Sequence, residues 1–107
     1  MYDFTLWMLS HTAKFPKSSR FSVSVRIENL VLDMLEGIII ANRRQKKEEK
    51  LLEIDENLER LRILIRLSKD MKFLSPKSYE YAAKQLSEAG RMLGGWIKQQ
   101  KIAVVEN

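Results

Sequence analysis

Leu51-Leu-Glu-Ile-Asp-Glu-Asn-Leu-Glu-Arg-Leu-Arg-Ile-Leu-Ile-Arg-Leu-Ser-Lys-Asp-Met-Lys72 is the stretch that decides the fold of this 107-residue chain. Leu51, Ile54, Leu58, Leu61 and Ile65 recur at alternating spacings of three and four, the period of one helix face, and Leu64, Leu67 and Met71 add a second stripe. Such a seam can leave water only by packing on other helices, so it predicts a bundle. Charge along the segment is sorted by sign. Asp55, Glu56 and Glu59 precede Arg60, Arg62, Arg66, Lys69 and Lys72, an order that complements the helix dipole. The dipole acts only on the last turn, and Arg62 lies short of it. Arg62, Arg66 and Lys69 therefore read as a basic ridge, which is either an ordinary solvated face or a contact for phosphate or an acidic partner.

Three further helices are predicted around this one. Phe4, Trp7, Met8 and His11 share a face of a short helix over 2–13, with Asp3 near its N-terminal end. His11 is the chain's one histidine and there is no cysteine to share a metal, so it is assigned a structural place and no chemistry. Pro16 breaks the pattern in Phe15-Pro-Lys-Ser-Ser-Arg-Phe21, where the serines can offer oxygens to free backbone N–H groups. Ser22 or Ser24 is the expected cap of a second helix over 22–42. Val23, Ile27, Leu30, Val31, Met34, Ile38 and Ala41 form its core face, and Val25, Leu32, Leu35 and Ile39 widen the apolar arc. Two neighbours must cover so wide an arc: two helices of the same bundle, or one helix and another subunit. Asp33 and Glu36 share a face but no pocket or metal partner, and read as a solvated strip.

Asn42 to Lys50 carries Arg43, Arg44, Lys46, Lys47 and Lys50, diluted by Glu48 and Glu49. It marks the connection into the third helix, over 47–72, either as a solvated tip or as a phosphate contact. Ser75-Pro76 is a start signal for a fourth helix over 76–98: serine caps, and proline costs nothing at the first helical position. That helix ends in Glu88-Ala-Gly-Arg-Met-Leu-Gly-Gly-Trp-Ile-Lys98. Glycine inside a helix costs about 1 kcal/mol relative to alanine. Gly90, Gly94 and Gly95 therefore point to close approach of another backbone, within the chain or across a subunit interface. Residues 99–107 read as a tail that frays or docks on a neighbour.

The totals bound the class. Nineteen Lys plus Arg against fourteen Asp plus Glu give +5, compatible with a polyanionic partner. With four glycines, two prolines and 31% charged residues, the chain fits one all-α domain over 1–107, an up-and-down four-helix bundle. The absence of cysteine excludes disulfides and thiolate metal sites. No apolar run reaches about eighteen residues and the N-terminus lacks a signal-peptide pattern, so a cytoplasmic protein with no membrane partner is expected. No Gly-rich phosphate loop, nucleophile–base arrangement or metal constellation appears in the sequence, and neither an enzyme nor a cofactor is expected.

Taken together, the Phe15–Phe21 turn, Arg26-Ile-Glu-Asn29, Leu61-Arg-Ile-Leu-Ile-Arg-Leu-Ser-Lys-Asp70 and Gly90-Arg-Met-Leu-Gly-Gly-Trp-Ile-Lys98 resemble the accessory variability determinant (Avd) family of diversity-generating retroelements. Proteins encoded in intervening sequences of bacterial 23S ribosomal RNA genes are a sister group with the same fold and the same Phe-Pro-Lys turn. The Avd resemblance implies a barrel-like homopentamer that binds a reverse transcriptase and template-repeat RNA, or DNA or an RNA/DNA hybrid, in support of mutagenic copying. Carried onto this sequence, it makes Arg20, Arg26, Arg62, Arg66, Lys69, Arg91 and Lys98 the candidate contacts for nucleic acid or polymerase. Leu35 and Ile39 on the wide arc, with Gly90, Gly94 and Gly95, are the candidate oligomer interface. The sister group implies ribosomal RNA binding without a polymerase, and a purely structural helical adaptor is the reading from outside nucleic-acid biology.

Overall fold

A computed structural model describes residues 1–106, and the side chains of residues 1–101. Its elements are α1 (Tyr2–Thr12), a 3-10 turn (Lys17–Ser19) running into a π-helical turn (Arg20–Ser24), α2 (Val25–Arg43), α3 (Glu48–Asp70) and α4 (Pro76–Glu106). No strand occurs among the described residues. Successive helices pack on one another, with α3 between α2 and α4 and with α1 laid against α2.

The α3 seam is buried at every expected position, Leu51, Ile54, Leu58, Leu61 and Ile65. Ile27, Val31, Met34 and Ala41 of α2 and Ala82, Leu86 and Leu93 of α4 meet it, and Phe4 and Met8 of α1 close one half. The second α3 stripe does not follow it inward. Leu64 is half-buried, whereas Leu67 and Met71 are 41% and 51% exposed. At roughly 100° per residue they lie well round the helix from the seam, and Asn57 and Ser68 take the flank of the core instead. Ser68 is tolerated there because its hydroxyl donates to the Leu64 carbonyl at 2.8 Å.

The connections differ from the sequence expectation in instructive ways. No serine of the first turn caps a free N–H. Ser19 Oγ donates to the Pro16 carbonyl at 2.9 Å and Ser22 Oγ to the Ser19 carbonyl at 3.3 Å. The chain stays helical from Lys17 into α2, so its N–H groups are already used and the hydroxyls turn to carbonyls. Ser75 behaves as expected, accepting from the Ser78 N–H at 3.1 Å. α3 ends in a Schellman turn: Phe73 N–H reaches the Ser68 carbonyl at 2.8 Å and Lys72 N–H the Lys69 carbonyl at 2.9 Å. Lys72 sits at φ 65° to make that turn. The fourth helix does not stop at Lys98. It continues to Glu106, because no glycine or proline follows Gly95 to break it. Asn107 lies outside the described residues.

α1 is short, and this shapes the surface. Its N-terminal Phe4 reaches only the middle of the bundle, leaving an apolar groove of about 600 Å³ lined by Phe4, Met34, Ile38, Leu58, Leu93 and Trp96. His11 packs structurally, its Nδ1 2.8 Å from the Trp7 carbonyl and its ring stacked on Trp7.

Candidate nucleic-acid and partner surface

The α3 ridge is brought together as expected, on the flank of α3 that faces α4, but its three cations are in different states. Arg62 is tied into the fold. Its Nη1 donates to Glu59 at 2.7 Å, its Nη2 donates to the Leu86 carbonyl of α4 at 3.2 Å, and its side chain is 39% exposed. Gly90 makes this possible: a Cβ there would stand 2.6 Å from Arg62 Nη2. The glycine is thus used inside the chain, seating a guanidinium between two helices. Lys69 lies over the Tyr79 ring, with Nζ 4.6 Å from its centroid. Arg66 is exposed and makes no ion pair among the described residues. With Tyr79 and Ser87 the two arginines line a shallow groove of about 380 Å³.

Arg20 and Arg26 sit elsewhere, on the π-helical turn and the first turn of α2, and both are exposed. Lys14 and Lys17 are exposed beside them, a pair that sequence spacing did not single out. From Phe4 to Ile27 the chain holds no Asp or Glu at all, which was the available signal. The first carboxylate beyond it, Glu28, accepts from Thr12 Oγ1 at 2.7 Å, pinning α1 to α2. Among the described residues Lys14, Lys17, Arg20 and Arg26 form no ion pair. The π-turn also presents Phe21 at 89% exposure.

Arg91 and Lys98 are exposed on α4. Gly94, at i+3 from Arg91 and i−4 from Lys98, shares their face, and a Cβ at Gly94 or Gly95 would meet nothing within 4 Å. Close approach between helices of the chain occurs at Gly90 and also at a glycine that the sequence did not flag. Gly37 of α2 is buried, and a Cβ there would lie 3.1 Å from Ile54 Cγ1. Of the candidate interface residues on α2, Leu35 is half-buried and Ile39 is 55% exposed. Lys47, in the α2–α3 connection, stands over the Trp96 ring at 5.6 Å. No cluster of His, Cys, Asp or Glu fit to hold a metal occurs among the described residues, and no helix there is long and apolar enough to cross a membrane.

A family model described as bAvd-like matches residues 1–100. No curated protein matches the chain.

Proposed function

The chain belongs to the bAvd-like family, and on that premise we propose that it is the accessory protein of a diversity-generating retroelement. In this role it holds template-repeat RNA, or DNA or an RNA/DNA hybrid, beside the element's reverse transcriptase in the cytoplasm during mutagenic copying. The observation that carries this reading is the extent of the match: residues 1–100 take in all three connections, the whole of α1, α2 and α3 and most of α4. The polymerase supplies the chemistry, and this chain supplies grip and position without a cofactor.

The working unit is a ring-like homopentamer. Three features favour a neighbour subunit: the open apolar groove beside α1, the exposed Ile39 on α2, and Gly94 and Gly95 with open space before them. Five copies of a +5 subunit carry about +25, enough to hold a polyanion in a salt-dependent way.

Purification of the tagged protein from its host at moderate salt tests the role. Co-elution of a reverse transcriptase with template-repeat RNA is expected, and native mass spectrometry should return five copies. Ribosomal RNA without a polymerase would instead assign the chain to the role of the intervening-sequence proteins. Neither partner would leave a structural adaptor.

A further inference from the structure

Phe21 is the most exposed large apolar side chain among the described residues, at 89%. It is not on a frayed end. It stands in the π-helical turn Arg20–Ser24, continuous with α2 and braced by the Ser19–Ser24 hydroxyl pair at 3.3 Å. π-helical turns of this kind recur at functional sites. A phenylalanine ring left in water forgoes the gain of burial inside the chain, and a partner that covered it would recover that gain.

The surroundings identify the chemistry of that partner. Lys17 precedes Phe21 by one turn, Arg20 adjoins it and Arg26 follows in the first turn of α2, all exposed, within a stretch that has no carboxylate from Phe4 to Ile27. A protein-docking anchor sits in a packed patch whose surrounding contacts exclude water. Phe21 is flanked by Arg20 and Ser22, both exposed, with exposed Lys17 and Ser18 in the preceding turn. An aromatic face among unpaired cations is the arrangement that grips single-stranded nucleic acid, with bases stacking on the ring and phosphates meeting the cations.

We propose that Phe21 is a stacking platform for an unpaired base, with Lys17, Arg20 and Arg26 holding the flanking phosphates. The inference rests on the nucleic-acid-binding role proposed above and adds to it the element that binds and the form of nucleic acid preferred. Duplexes gain little from Phe21, because their bases are already stacked on one another.

Fluorescence anisotropy on the full chain tests this, using a labelled RNA single strand of about twelve nucleotides, the same strand in a duplex, and a version lacking bases at its centre. Phe21→Ala should weaken binding of the single strand on the order of tenfold to a hundredfold and leave the duplex and the base-free strand unchanged. Phe21→Trp should retain single-strand binding. Circular dichroism and native mass should be the same for all three proteins. If wild type binds and Phe21→Ala binds equally well, the stacking platform is wrong while the accessory role stands. If Phe21→Ala changes the oligomer mass, Phe21 belongs to a subunit contact and the assignment falls. If wild type binds no nucleic acid in any form, both the platform and the accessory role fall.

Discussion

On α3, two of the three ridge cations are held by the fold, Arg62 shared between Glu59 and the Leu86 carbonyl and Lys69 resting over Tyr79, while Arg66 between them is exposed. At the α1–α2 turn, Lys14, Lys17, Arg20 and Arg26 are all exposed and without an ion pair among the described residues, and the carboxylate nearest them in the chain, Glu28, accepts from Thr12 instead. A cation already engaged must break those contacts before it can meet a phosphate, and one in water gives up only counterions. The spacing of Arg62, Arg66 and Lys69 is the more regular in the sequence, yet the irregular turn offers the more available charge. Regular spacing marks a face, and packing decides whether that face is free.

Charge reversal should break the symmetry between the two regions most sharply. The triple change Lys17→Glu, Arg20→Glu and Arg26→Glu is expected to lower single-strand affinity by at least about a hundredfold near 0.1 M salt, with helicity and oligomer mass retained. Arg66→Glu with Lys69→Glu should cost no more than about tenfold under the same conditions. Anisotropy titrations at several salt concentrations check both, and a ridge pair that costs more than the turn triple would reverse the ranking.

Smaller, neutralising changes separate structural cations from binding ones. Arg62→Gln is expected to lower unfolding stability by about 1–2 kcal/mol, the loss of charge-assisted bonds on a half-exposed group, while the salt dependence of binding stays the same. Arg20→Gln should do the opposite, with stability held within about 0.5 kcal/mol and the logarithmic salt slope reduced by about 0.7 for a single strand. Gly90→Ala joins the two cases. The new methyl displaces Arg62 from its seat, and the lost bond of about 1 kcal/mol is offset by a helix-propensity gain of similar size. Urea unfolding should therefore find it near neutral, with Arg62 released to add to the salt slope. A large loss of stability would show instead that the backbone, and not the guanidinium, occupies that space.

How far the sequence carries is visible in these same residues. The α3 seam and the Ser75-Pro76 start are legible because periodicity and capping are local, depending on residues within about one turn. The seat of Arg62 is not legible, since Gly90 and Arg62 meet only after α3 and α4 pack. The glycine run promised close approach at Gly90, Gly94 and Gly95; it occurs at Gly90, against Arg62 and Leu58 of α3, and not within the chain at Gly94 or Gly95, while a further close approach falls at Gly37 against Ile54. One glycine against an isoleucine on another helix leaves no periodic trace. Pro16 signals a break and is extended there, at φ −55° and ψ 142°, but from Lys17 the chain enters α2 through 3-10 and π turns, and this alters which serine oxygens are used and which face Phe21 presents. An aromatic residue reads as core until packing shows that nothing covers it. Beside Pro16, which marks the turn, the acid-free stretch from Phe4 to Ile27 was the clue in the sequence to its uncompensated charge.

The smallest expected effect isolates location from charge. Lys72 stands at the C-terminal end of the ridge helix and occupies the left-handed position of the Schellman turn, with φ 65°, where glycine is the usual residue. Its backbone is strained for a side chain, and its charge lies outside the chain segment that flanks Phe21, although the ring of Phe73 beside it packs 5.3 Å from that of Phe15 in the turn between α1 and α2. Lys72→Gly relieves the strain, partly offset by the greater freedom glycine gives the unfolded chain, for a net gain of about 0.5–1 kcal/mol. In a domain of this size the midpoint of thermal unfolding should rise by roughly 2–8 °C. The substitution also removes one positive charge, as Arg20→Gln does. If net charge alone governed binding, the two variants would lose equal affinity and equal salt slope. Because Lys72 is not among the cations that flank Phe21, the platform predicts a smaller loss of affinity and of slope from Lys72→Gly than from Arg20→Gln. Equal losses from the two variants would mean that the bundle attracts its polyanion as a diffuse charge, and that the contrast between the turn and the ridge has no part in binding.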